Sequence, residues 1–330
     1  MRAAWITRAG GPEVLEVVEV PRPLPREGEV LVRVHASALN RADIMQRQGR
    51  YPAPPGAPAN IPGMEIAGEV AELGGGSGVG RWRIGDRVFG IVGGGGNAEF
   101  VVTNELELAR IPDTLSWEAA AAVPEAFITA HDALITQAAM QPGETVLVHA
   151  VGSGVGVACV QLVRAFQGTC YGTARSADKI ARAAKLGLKD GGVIEGDPAA
   201  ITELVQRWTD GKGIDVVLDL VGGPYLPAGV ECLALHGRII LIGLLAGRAA
   251  NLNLGTILSR RLTIRGTVMR ARNAREKAAV TEAFARDVLP LLERGEVHPV
   301  VDRVFPLEQI RDAHVLMESN ETFGKIVLKS

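Results

Sequence analysis

"TVLVHAVGSGVGVACVQL", residues 145 to 162, joins an apolar β-type run to a helical one through a loop of alternating glycines. Residues 145 to 148 read as a buried strand, and Val155, Ala158, Cys159, Leu162, Val163 and Phe166 recur at helical spacing. Gly152, Gly154 and Gly156, with Ser153 among them, lie where strand turns into helix. Small residues there let backbone N–H groups and the helix N-terminus approach a pyrophosphate. The spacing is not a clean G-x-G-x-x-G, and a glycine loop alone is also compatible with a tight turn that binds nothing.

The flanking sequence supplies the context. "TCYGTA" reads as a second strand, "SADKIARAAKLG" as a helix closing on Gly187, and "GGVI" as a short strand. A helix with Asp197 as N-cap and Pro198 at its first position follows, then the strands "IDVVLDL" and "RIILIG". This βαβαβ order predicts a Rossmann-type, doubly wound parallel sheet.

Outside this stretch the pattern differs. Residues 1 to about 110 hold short alternating runs broken by Gly and Pro, such as "EVLVRVHAS" and "EIAGEVAEL", which predict a small curled or barrel-like β domain. The clusters Gly74 to Gly76 and Gly93 to Gly96 are expected to be turns. Near the C-terminus, "AAVTEAFARDVLPLLERG" predicts a helix, "HPVVDRVF" a strand, "PLEQIRDAHVLMES" a helix and "GKIVLKS" a last strand. These lack the Rossmann rhythm, so the final segment is expected to return to the first domain. The expected organisation is a discontinuous domain of residues 1–122 and 270–330 around a dinucleotide-binding domain of residues 123–269.

Composition removes several function classes. A net charge of -2 gives no electrostatic footprint for nucleic acid or an anionic membrane. The arginines Arg260, Arg261, Arg265, Arg270, Arg272 and Arg275 are expected to form a solvated face. The N-terminal "MRAAWITRAGG" has no apolar run of signal-peptide length and no segment approaches the apolar length of a membrane span, so a soluble cytoplasmic protein is expected. Cys159, Cys170 and Cys232 lie in apolar periodic segments and are expected to be buried, reduced thiols.

Cofactor choice depends on the end of the second strand, where an acid would bond a ribose 2′-hydroxyl. Here Thr173, Ala174, Arg175, Ser176, Ala177, Asp178 and Lys179 follow one another. Arg175, Ser176 and Lys179 offer two positive charges and a hydroxyl to a 2′-phosphate, which favours NADPH over NADH. The alternative makes Arg175 and Lys179 solvated charges and Ser176 a helix cap.

A second polar stretch, "LNRADIMQRQGRYP", residues 39 to 52, has no cysteine, histidine or serine. Together with "PGMEIAGEVAELG", "IGDRVFG", "AAAVPEAFITAHDAL", "HAVGSGVGVACVQL", "CLALHGRIILIGL" and "GKIVL", it resembles the medium-chain dehydrogenase/reductase superfamily over nearly the whole chain. The branch it is most similar to is that of the zinc-free, zeta-crystallin-like quinone oxidoreductases. The resemblance implies a GroES-like β-barrel catalytic domain beside the Rossmann domain. Zinc members carry a cysteine just after "RVHAS" and a histidine in "PGHE"; this chain has Ser37, Ala38 and Met64, so no metal is expected.

By the same resemblance, Asn40 and Thr129 lie beside the nicotinamide end and Tyr51 lines the substrate cleft, where its phenol could bond a developing oxyanion or donate a proton. Ser153, Gly154 and Val155 are implied at the pyrophosphate. Gly243, Leu244, Leu245, Val268, Met269, Phe323, Gly324 and Lys325 would close over the nicotinamide half. Ile194 stands where many relatives carry tyrosine, and Arg175 where glycine is common. Asn40 could instead cap a helix starting near Arg41, Asp43 is expected to pair with Arg41 or Arg47 on its surface, and Tyr51 could be a packing aromatic. The remaining arginines of the stretch are expected to face solvent.

Without a metal, a simple ketone is a poor acceptor, because hydride addition builds an alkoxide that a Lewis acid would otherwise stabilise. A quinone or conjugated enone spreads that charge itself. The leading expectation is therefore an NADPH:quinone oxidoreductase. An alkenal, enone or enoyl-thioester reductase and a non-catalytic NADPH-binding protein are its rivals. "LTIRGTV" reads as an edge strand, and a homodimer paired across it is expected.

Overall fold

Apolar side chains build the first sheet: in "EVLVRVHASA", Val30, Val32, Val34, Ala36 and Ala38 form one buried face, while on the other Leu31 and Ser37 are buried and Arg33 is exposed. The molecule is known from a computed structural model that describes residues 1–75 and 81–330. Of the expected glycine turns, Gly76 lies outside the described residues.

The strands before residue 111 are β1 (Arg2–Ile6), β2 (Leu15–Glu19), β3 (Glu29–Ala38), β4 (Glu65–Leu73), β5 (Arg87–Ile91), β6 (Phe100–Asn104) and β7 (Leu108–Arg110). A second set follows: β8 (Thr145–Val148), β9 (Thr169–Ala174), β10 (Leu188–Val193), β11 (Ile214–Asp219), β12 (Leu233–Leu241) and β13 (Thr263–Gly266). β14 (Val301–Pro306) and β15 (Lys325–Lys329) close the chain. The chain divides into two compact units, residues 1–128 with 269–330, and residues 129–268.

In the first unit the sheet order is β14-β15-β3-β4-β5-β7, with β6 also pairing β3. β15 runs antiparallel to β3, with Val327 opposite Ala38, so the last strand of the chain completes the sheet begun by the third. One expected C-terminal helix is two, Ala274–Asp287 and Leu289–Glu293. The break falls at Val288, just before Pro290, whose ring and missing N–H interrupt the ladder.

The second unit is a parallel sheet of order β10-β9-β8-β11-β12-β13, helices connecting successive strands. The chain winds outward from β8 through β9 to β10, then crosses to β11 and on to β13. The reversal between β8 and β11 is a topological switch point, the place where open α/β sheets bind ligands beyond the carboxyl ends of their strands. This is the doubly wound Rossmann arrangement, and β13 is its edge. Asp197 does not cap a helix beginning at Pro198. The helix runs Ala200–Thr209, and Asp197 instead accepts the Ala199 N–H at 2.9 Å in the preceding turn. The three cysteines are free and buried.

Candidate functional site

In the second unit, the loop leaving β8 reaches the helix Gly154–Ala165, with Ser153 at its N-cap accepting the Gly156 N–H at 3.1 Å. Of the first-turn N–H groups, which no helix can satisfy internally, those of Gly154 and Val155 remain directed out of the helix end. Glycine at 156 has a steric cause: a Cβ there would lie 2.4 Å from the Ala150 carbonyl oxygen and 2.8 Å from the Val151 Cα. The same holds for Gly172 in β9, whose Cβ would lie 2.2 Å from a Val151 methyl. Strand, loop and helix are thus drawn into a cradle only glycine permits, which suits a dinucleotide pyrophosphate.

At the end of β9, Thr173 is buried and its Oγ1 sits 3.0 Å from Nδ1 of buried His149. Arg175 is exposed, and Ser176 occupies the N-cap of the helix Ala177–Ala184 without using its side chain to cap it. Asp178 lies in the first helical turn, 3.9 Å from Arg182. Asp219, at the end of β11, accepts the N–H groups of Val221 and Gly222 through Oδ1, both at 2.8 Å. Its Oδ2 and His149 Nε2 are buried without a partner, as is the Thr129 hydroxyl. Leu244, Leu245 and Val268 are exposed apolar residues following the carboxyl ends of β12 and β13. Gly243 packs so closely that a Cβ would meet the Leu220 carbonyl oxygen at 2.4 Å. Ile194 is a core residue.

The first unit gathers a different chemistry around "LNRADIMQRQGRYP". Asn40 is the N-cap residue of the helix Arg41–Arg47, but its side chain turns elsewhere. Its Nδ2 donates to Glu65 Oε1 at 2.9 Å, and its Oδ1 accepts from Lys325 Nζ at 2.7 Å. Lys325 Nζ also donates to the Leu39 carbonyl and forms an ion pair with Glu65 Oε1, each at 2.7 Å. Gly324, just before it, has φ 96° and no room for a Cβ, which would lie 2.3 Å from the Val300 carbonyl oxygen. Phe323 is buried and donates its N–H to Asp302.

Three expectations are overturned here, two in this stretch and one for the arginine cluster of residues 260–275. Asp43 is not a surface partner of Arg41 or Arg47; it is fully buried, accepting the Asn40 N–H at 2.7 Å and the Gly63 N–H at 2.9 Å. Burial raises its carboxyl to about 6. Arg47 does not face solvent: it is fully buried, bonded to the Gly10 carbonyl, to Glu318 and to His314 Nδ1. Nor does Arg270 belong to a solvated face. It is buried, donates to the Gly93 carbonyl at 2.8 Å and to Gln46 Oε1 at 2.7 Å, and lies 5.3 Å over the Tyr51 ring. Its Nη1 has no partner. The reason is common to all three: carboxylate, amide and π-face partners from distant segments meet these groups and offset the cost of burying them.

Glu65, Glu125 and Arg270 were not anticipated as site residues. Glu65 Oε2 accepts the Glu125 N–H at 2.8 Å, which ties the π-helical segment Pro124–Ile128 to β4. Such segments recur at functional sites. Glu125 is half-buried as a residue, yet its Oε2 is enclosed and unpartnered. Burial pushes its carboxyl up to about 8, and the neighbouring Glu65 carboxylate adds to the rise. Burial likewise raises the Tyr51 phenol, against the pull of Arg270. One signal was visible: Glu125 is the sole charged residue in the run "AAAAVPEAFITA". Around the positions where zinc members carry their ligands, Ser37 donates to Asn97 Oδ1 at 2.8 Å, and Ala38 and Met64 are buried.

Comparisons with known proteins agree with this architecture. Residues 26–113 match the alcohol dehydrogenase GroES-like domain, and residues 193–328 a zinc-binding dehydrogenase domain. The chain is 33% identical to a quinone oxidoreductase of Pseudomonas aeruginosa, over 97% of this chain and 96% of that protein. A solved NAD-dependent alcohol dehydrogenase is 34% identical with a TM-score of 0.85, both chains covered completely. A mycobacterial protein solved in complex with NADPH is 26% identical with a TM-score of 0.89, again with both chains covered completely. The chain belongs to the medium-chain dehydrogenase/reductase superfamily, in its quinone oxidoreductase branch, and is an NAD(P)-dependent oxidoreductase.

Proposed function

We propose that this protein is a zinc-independent oxidoreductase that uses NADPH to reduce quinones. The observation that carries the reading is the donor set of the first unit. Where zinc members carry a cysteine just after "RVHAS" and a histidine in "PGHE", this chain has Ser37-Ala38 and Met64, which offer neither a thiolate nor an imidazole. A catalytic zinc needs three nitrogen, sulfur or carboxylate ligands. Among the described residues no group of three His, Cys, Asp or Glu side chains is placed to hold a metal. These residues do not suit a zinc ion. An acceptor that delocalises its own negative charge needs no Lewis acid, only a proton donor and orientation.

The dinucleotide, when bound, supplies the hydride. For the residues of this chain, Gly154 and Val155 would offer N–H groups to its pyrophosphate beside Ser153. Arg175, the uncommitted Ser176 hydroxyl and Lys179 would receive the 2′-phosphate, with Thr173 behind them. Thr129, Gly243, Leu244, Leu245 and Val268 are proposed at the nicotinamide half, as are Asn40, Met269, Phe323, Gly324 and Lys325. Tyr51 is the proposed proton donor or oxyanion partner.

A panel assay decides among acceptors. NADPH oxidation should be faster with quinones than with enones or enoyl thioesters, and faster than NADH oxidation. A saturated carbonyl product formed from an enone faster than any quinone turns over would replace this reading with that of an enone reductase. Tight NADPH binding with no hydride transfer to any acceptor would leave a binding protein.

A further inference from the structure

The first unit holds more buried acid than buried base around Tyr51. Among the described residues, Lys325 and Arg270 are the cations whose charge acts on Asp43 and Glu125, Lys325 also pairs with Glu65, and the Glu125 charge acts on the Tyr51 phenol. Their hydrogen bonds decide where the missing charge balance falls. Glu65 has both oxygens filled by donors, accepting from the Lys325 ammonium, the Asn40 amide and the Glu125 N–H. Asp43 accepts two backbone N–H groups, which favours the ionised form. Glu125 differs: its enclosed Oε2 has no donor. An isolated buried carboxylate is far more costly than a buried neutral carboxyl, so the proton that balances the cluster resides on Glu125.

We propose that Glu125 is held as a neutral carboxylic acid and serves as the proton store for reduction, feeding the Tyr51 hydroxyl. This rests on the reading of the site as a quinone-reducing one. Hydride addition brings both electrons and leaves one acceptor oxygen as an anion that needs a proton. Tyr51 gives its O–H proton to that oxygen, Glu125 gives its carboxyl proton to the phenolate so formed, and water restores Glu125. Arg270, stacked 5.3 Å over the Tyr51 ring with a free Nη1, stabilises the transient phenolate by charge. The environment suits the task. The value near 8 that burial and Glu65 impose keeps the acid loaded at neutral pH yet able to release its proton.

The test begins with the protein free of cofactor and substrate. Infrared difference spectra should contain a protonated-carboxyl C=O stretch at neutral pH that titrates away as pH rises through about 8 and is absent from Glu125→Gln. Absence of that band from the wild type, or its persistence in the variant, overturns the proposal whatever the acceptor proves to be. In turnover with a quinone, kcat of the wild type should fall through the same pH range. Glu125→Gln, isosteric and able to keep the fold, should lose about 10²-fold in kcat with little change in KM and lose that pH dependence. Glu125→Asp should recover part of the rate. A band that behaves as expected beside a Glu125→Gln enzyme of unchanged kcat and pH profile would overturn the proton-supplying role and leave the quinone reading intact.

Discussion

Lys325 shows how one side chain serves stability and site together. Its ammonium has three oxygen partners and is almost wholly buried against Glu65, which is fully buried. Removing one member of such a pair strands the other charge. Lys325→Met should therefore lower unfolding stability by about 3–5 kcal/mol in chemical denaturation, whereas a surface pair such as Arg22–Glu72 should contribute no more than about 1 kcal/mol. His314 gives a pH-dependent counterpart. Burial and the adjacent Arg47 guanidinium pull its imidazole down from 6.5 to about 3, so the unfolded chain takes up the proton first. Stability from this site is complete above about 6.5 and is lost as pH falls toward about 3; in denaturation series at stepped pH, His314→Gln should flatten that acid limb. At this scale the sequence was partly legible. Asn40 and Tyr51 stand out within one polar stretch, but Asn40 meets Glu65 25 positions away and Lys325 285 positions away. Long-range pairing of single charges leaves no periodic signal, which is why Arg47, Asp43 and Arg270 read as surface groups.

Elements were more legible than residues, because periodicity is local. The strand, glycine loop and helix at residues 145–165 follow from apolar spacing and from small residues at the turn. What escaped was where helices start and stop. Pro290 splits one amphipathic run into two helices, and Asp197 with Pro198 forms a turn rather than a helix start. Both errors arise where a proline fits either a helix's first turn or its end. The cradle itself makes a sharp prediction. Gly156→Ala would place a methyl 2.4 Å from backbone oxygen, which no side-chain motion can relieve. Titration of NADPH fluorescence should show binding weakened at least tenfold. Wild-type affinity in the variant would mean that the loop does not carry the pyrophosphate.

For the whole molecule, the chain's organisation follows from the two larger of its three described sheets, which obey different connection rules. Parallel strands need crossover helices, so residues 129–268 form an uninterrupted doubly wound unit, while the mostly antiparallel sheet accepts a strand from the far end of the chain. The edge of the parallel sheet, β13, lies beyond the helix Leu254–Arg260, on which Leu254 and Leu258 are 73% and 81% exposed. An open edge beside exposed apolar residues is the expected face of a homodimer. Light scattering should give twice the chain mass, and Leu258→Lys should shift it toward the monomer. Metal-free reduction of a quinone by NADPH has a direct test. Enzyme treated with chelator and verified free of zinc by elemental analysis should oxidise NADPH with a quinone at undiminished kcat, with a higher kcat/KM for NADPH than for NADH. Loss of that activity on chelation and its return with stoichiometric zinc would instead make the protein a zinc enzyme.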